Sequence, residues 1–99
     1  MTDPYARLAH VARVLARPMA VAVARGCGKA QTLADMGLRF QRGESSMRTT
    51  LGELLSIGAV VKPEGSYLER ALEAGEMTCQ LPAMLRALAE ELEGSHDST

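Results

Sequence analysis

Apolar residues recur along this chain mostly at three- and four-residue intervals, and the intervals reset at a few prolines and glycines. Leu8, Val11, Ala12 and Leu15 follow one helical face behind Asp3-Pro4. Asp is a good N-cap, and Pro is accepted at the first helical position because its missing N–H would have no partner there. Pro18 interrupts this helix, since within it the ring would cost about 3 kcal/mol. A second helix is therefore expected from Pro18, with Met19, Ala22 and Val23 as its apolar side and Gly26 as its C-cap. A valine-rich strand over "MAVAVA" is the competing reading. After the turn "GCGK", the stretch "KAQTLADMG" reads as a short third helix. It is expected to open at Lys29, to place Ala30, Leu33, Ala34 and Met36 inside, and to stop at Gly37. "LRFQRGE" reads as a basic loop or short extended segment, with the only Phe, at position 40, as a buried anchor.

"GESSMRTTLGELLSIGAVV", Gly43 to Val61, is the most informative stretch. Met47, Leu51, Leu54 and Leu55 fall on one face of a helix that Ser45 or Ser46 can cap and Gly58 can end. Ser45, Ser46, Arg48, Thr49 and Gly52 are left outside, with Thr50 at the edge. Val60 and Val61 are β-branched and read as a strand. "KPEG" is turn chemistry, and Ser66, Tyr67 and Leu68 are expected to return as the second strand of a small hairpin. Beyond Leu68 the chain reads as helix or irregular. From Leu81 a narrow stripe of Leu81, Met84, Leu85, Leu88 and Leu92 marks a closing helix to 93, and "GSHDST", 94–99, a frayed polar tail.

Composition narrows the class. Ninety-nine residues make a single domain. With aromatic residues at 3% and no Trp, aliphatic side chains and Met must fill the core, which suits a mainly α fold with a small β-hairpin. No 18-residue apolar span and no apolar leader are visible, so a cytoplasmic protein without membrane contact is expected. Cys27 and Cys79 stand far apart without CxxC spacing, and His10 and His96 have no ligand-spaced partner, so neither metal nor cofactor is expected. Two reduced thiols are the expectation, with a lowered-pKa Cys27 beside Lys29 the minority reading. No nucleophile–base or paired-carboxylate pattern stands out, and "GCGK" is too short for a phosphate loop, so the chain is not expected to be an enzyme.

Charge adds one distinction that the near-neutral total conceals. Residues 1–63 carry nine basic and four acidic side chains, and residues 64–99 carry two and eight. Such asymmetry fits a polyanionic partner facing the basic part.

Two local stretches carry a family resemblance. "VLARPMAVAVARG" resembles the "ALADPTRLRILxLL" segment of bacterial regulators of the ArsR type and the related MarR and HxlR types. "SSMRTTLGELLSIGAVV" is similar to their "STVSRHLKVLREAGLV", and "TLADMG" stands where they have "ELAEALG". The resemblance spans Leu8 to Val61 plus a trailing helix. It implies a winged helix-turn-helix over 1–93, with a three-helix core, a wing and a C-terminal dimerisation helix at 81–93. It implies a homodimeric, sequence-specific regulator of transcription, most simply a repressor, whose partner is double-stranded DNA and whose recognition helix lies at about 45–56.

On that reading Ser45, Ser46, Arg48 and Thr49 face the bases, since a helix in the major groove offers its N-terminal residues to base edges. Arg39, Gln41, Arg42, Lys29 and Lys62 are the expected phosphate contacts. Leu81, Met84, Leu85, Leu88 and Leu92, with Leu8, are the expected dimer interface. The metal-binding cysteines of the arsenic and cadmium sensors are absent, and no small-molecule effector is indicated. The alternative is a winged-helix protein–protein interaction module that does not bind DNA.

Overall fold

The computed structural model describes residues 3–97. It is mainly helical, with a two-strand antiparallel sheet. The elements run α1 (Pro4–Leu15), α2 (Pro18–Arg25), α3 (Leu33–Phe40), α4 (Glu44–Ile57), β1 (Val60–Val61), α5 (Leu68–Glu73), β2 (Thr78–Cys79) and α6 (Leu81–Asp97). Among the described residues no helix is long and apolar enough to cross a membrane.

The two prolines act as expected. Asp3 caps α1 by accepting from Tyr5 N–H, and Pro18 opens α2 at its first turn, which removes the strand reading of "MAVAVA". Gly26 is the C-cap of α2.

α3 departs from its expected bounds at both ends. Lys29 and Ala30 remain in the preceding loop, because Thr32 and Asp35 form a capping box that fixes the start at Leu33. Thr32 N–H donates to Asp35 Oδ2 and Asp35 N–H to Thr32 Oγ1, each at 3.0 Å. The Thr32 backbone N–H foremost, and next the Thr32 hydroxyl, hold the Asp35 carboxyl below its ordinary pKa. Gly37 does not stop the helix. It lies buried while α3 continues to Phe40, and the C-cap is Gln41 at φ 55°.

The expected basic loop is consequently a three-residue turn, Gln41 to Gly43. Arg42 N–H reaches back to the Gly37 carbonyl at 2.9 Å. A Cβ on Gly37 would lie 2.5 Å from the Arg42 carbonyl oxygen, so this close reversal requires glycine there. Phe40 is half-buried rather than a fully buried anchor.

α4 ends in a closed cap. Gly58 sits at φ 79°, and Ala59 N–H bonds the Leu54 carbonyl at 3.0 Å. The chain then enters β1, paired with β2 through Val60–Cys79 and Val61–Thr78. Ser66 to Leu68 thus do not form the second strand. That role belongs to Thr78–Cys79, and the intervening segment carries α5, whose Ala71 and Leu72 are buried. The return strand is displaced because Leu68, Ala71 and Leu72, at i, i+3 and i+4, give this segment its own helical apolar face.

The core lies between α2, α3 and α4, closed by α1, α6 and the segment from β1 to β2. Val23, Met36, Met47, Leu51, Leu54, Val60, Leu72 and Met77 are its largest fully buried side chains. α6 packs against α1 and continues to Asp97. It passes through 94–97, read as tail, because Gly94 does not take the positive φ of a helix stop. Residues 98 and 99 lie outside the described residues.

Candidate nucleic-acid interface

α4 separates into two faces because its apolar residues are spaced for one side. Met47, Leu51, Leu54 and Ile57 are buried against the core. Thr50, expected at the edge, is buried with them at 8% exposure. Ser45, Ser46, Arg48, Thr49 and Gly52 are exposed. The two serines stand in the first turn and do not cap it. The N-cap is Gly43, with no side-chain bond. The Thr49 hydroxyl donates to the Ser45 carbonyl at 3.1 Å, so it is held against its own helix. A Cβ on Gly52 would meet nothing within 4 Å, so no neighbouring part of this chain accounts for a glycine there.

Arg48 is not free. Its Nε donates to Glu69 Oε1 at 2.7 Å, bridging α4 to α5. This bond is the main cause that holds the Glu69 carboxyl below the usual glutamate range. Both side chains remain about half-exposed, at 56% and 44%, so the pair is a solvated one that a competing anion can open.

The expected phosphate contacts divide. Arg42 and Gln41 sit exposed in the turn beside the N-terminus of α4. Arg39 lies elsewhere. Its guanidinium reaches the Gly26 carbonyl at 3.4 Å and stands over the Phe40 ring, 5.7 Å from its centroid, at the end of α2. Lys62 donates to the Ser66 carbonyl and thereby closes its own loop. Lys29 is exposed in the loop before α3, next to the chain around Gly75. The structure therefore brings Gln41, Arg42, Ser45, Ser46, Arg48 and Thr49 onto one turn and helix end, and leaves Arg39, Lys29 and Lys62 outside that group.

The expected dimer stripe is also divided. Leu81, Met84 and Leu88 are buried in the chain's own core, because α6 folds back onto α1 and onto Gly58. Leu85 at 45% and Leu8 at 38% remain exposed, and Leu92 is half-buried. Cys27 corrects the reactive-thiol reading. Burial, then the neighbouring Cys79, raise its pKa to about 11, and Arg39 offsets this only in part.

Three residues that the sequence reading did not single out belong to this region. Glu69 grips Arg48, and Glu53 on α4 pairs with Arg17, the N-cap of α2, which lines a cleft together with Thr50, Ser46 and Arg42. None carries a local signal, because each depends on which segment folds against α4.

Comparison with protein-family models, with curated proteins and with solved structures finds no match to this chain.

Proposed function

We propose that this chain is a winged helix-turn-helix protein that binds double-stranded DNA in a sequence-specific way and regulates transcription, with α4 as its recognition helix. The observation that carries the reading is the α3–turn–α4 unit. Two helices are joined by a three-residue turn, and the second offers Ser45, Arg48 and Thr49 to solvent at its N-terminal end. That is the length and polarity of a helix meant for a major groove. The basic excess of residues 1–63 and the open surface at Gly52 support it, since a missing side chain lets a nucleic-acid backbone approach. Arg48 would exchange Glu69 for the O6 and N7 acceptors of a guanine. The segment from β1 to β2 serves as the wing. Leu8 and Leu85 are the exposed remnants of the apolar stripe and would join two copies into a dimer on a pseudo-palindromic site.

The test is fluorescence anisotropy on a duplex from the protein's own upstream region against a random duplex, across several salt concentrations. Binding that prefers the upstream duplex, falls steeply with salt and weakens about tenfold or more in Arg48→Ala bears the reading out. Equal weak binding to both duplexes, or none, favours an interaction module. That second reading draws on Leu38 and Tyr67, which are 82% and 76% exposed, and on the engagement of Arg48 by Glu69.

A further inference from the structure

A cleft of about 430 Å³ lies beside the exposed face of α4, lined by Arg17, Pro18, Met19, Ala20, Arg42, Ser46 and Thr50. We infer that it seats one phosphate oxyanion, and that the natural source is a backbone phosphate of the DNA flanking α4. The source, though not the site, rests on the DNA-binding reading.

Three observations converge. First, α2 begins at the cleft without a side-chain cap, and Pro18 at its first position has no N–H. The Ala20 N–H bonds the Arg17 carbonyl at 3.0 Å, so Met19 N–H is the donor left at that helix end. This one free amide and the helix dipole together favour an anion there. Second, Thr50 lines the cleft although it is only 8% exposed, and among the described residues its hydroxyl makes no hydrogen bond. Its oxygen is not sealed from solvent, as the unpartnered Gln31 Oε1 is, so it opens on the cleft and is free to donate there. Thr49, one residue earlier, satisfies its own hydroxyl on the Ser45 carbonyl. Third, Arg42 makes no ion pair among the described residues, while Arg17 is already neutralised by Glu53. The charge offered to an anion is thus that of Arg42, with Ser46 and Thr50 as neutral donors. Ser46 and Thr50 stand four apart on the flank of α4, between its buried face and its exposed one. A phosphate held there fixes the roll of the helix in a groove without reading a base.

The experiment follows backbone amide shifts during titration with inorganic phosphate and, separately, with a short duplex, on wild type, Thr50→Val, Arg42→Gln and a control, Arg13→Gln, on α1. Unfolding midpoints confirm that each variant folds. The expected result is saturable shifts at Met19, Ser46 and Thr50 with inorganic phosphate, which the duplex displaces. Thr50→Val should weaken duplex binding about fivefold with an unchanged salt slope, the size of one lost hydrogen bond. Arg42→Gln should lower that slope by about one, and Arg13→Gln should leave it alone. Saturable phosphate shifts without duplex binding would keep the anion site and remove DNA as its source. Salt-sensitive duplex binding that neither cleft variant alters would overturn the inference and leave the DNA-binding reading standing. Absence of any shift at these amides in both titrations would overturn the inference outright.

Discussion

Between α3 and α4 the chain reverses in three residues, and between β1 and β2 it takes sixteen. The short connection is held by backbone. Arg42 N–H binds the Gly37 carbonyl, Gln41 takes a left-handed conformation, and Gly37 leaves room for the Arg42 carbonyl. The long connection is held by burial. Ala71, Leu72 and Met77 enter the core, and Gln31 N–H bonds the Leu72 carbonyl at 3.2 Å. A tight turn orients one helix on another with little freedom, whereas the longer segment is placed by what it covers. The exposed polar end of α4 therefore inherits its orientation from the first connection, and its electrostatic partner, Glu69, from the second.

Substitutions at the two supporting glycines would break this comparison most directly. Gly37→Ala puts a methyl group 2.5 Å from a backbone oxygen that cannot rotate away. The expected loss is about 3 kcal/mol of unfolding free energy in urea, from overpacking against the backbone. A loss under about 1 kcal/mol would mean that the turn relaxes freely and does not orient α4. Gly75→Ala probes the longer connection. Its φ of 72° disfavours a side chain, and the new Cβ would lie 3.0 Å from Ala30 N. The expected loss is about 2 kcal/mol, smaller because this contact is less severe and the segment has buried side chains to anchor it. Equal losses at both glycines would erase the distinction drawn here.

The same contrast explains which parts could be read from sequence. α1, α2 and α4 announce themselves through Asp3-Pro4, Pro18 and the spacing of Met47, Leu51 and Leu54, all of which act within one or two turns of the chain. The start of α3 misleads because Lys29 and Ala30 have adequate helix propensity, and only the Thr32–Asp35 box sets the boundary. The turn at Gln41 is hidden because its left-handed position carries no glycine, and Gly37, which looks like a stop, serves close packing instead. The pairing of Val60 with Cys79 spans nearly twenty residues and has no local mark. At the candidate site, the exposed residues of α4 follow from its periodicity. The bonds that engage Arg39 with Gly26, Lys62 with Ser66 and Arg48 with Glu69 follow from tertiary placement alone.

Gln41 offers a smaller and opposite effect. It is the only described residue other than glycine with a positive φ, at 55°. Gln41→Gly should relieve about 1 kcal/mol of left-handed strain, offset in part by the greater freedom of glycine in the unfolded chain. A net gain of about 0.5 kcal/mol is expected in urea unfolding. A net loss would show that the Gln41 side chain contributes to the turn beyond its backbone angle.

The smallest effect joins the two connections through Arg48 and Glu69. The Arg48 bond lowers the Glu69 carboxyl below its ordinary range, so the folded state holds the charged form more firmly than the unfolded chain does. The resulting stability is present above the ordinary glutamate pKa and is lost as pH falls through the depressed value. Carboxyl-detected NMR should find Glu69 titrating below the other exposed glutamates and returning to their range in Arg48→Ala. Unfolding of Glu69→Gln should differ from wild type near neutral pH and converge with it in acid. If Glu69 titrates normally in the wild type, α5 does not hold Arg48 in solution. The guanidinium would then already be free for a groove, and α4 would owe its position to the three-residue turn and the core beneath it rather than to the segment that follows.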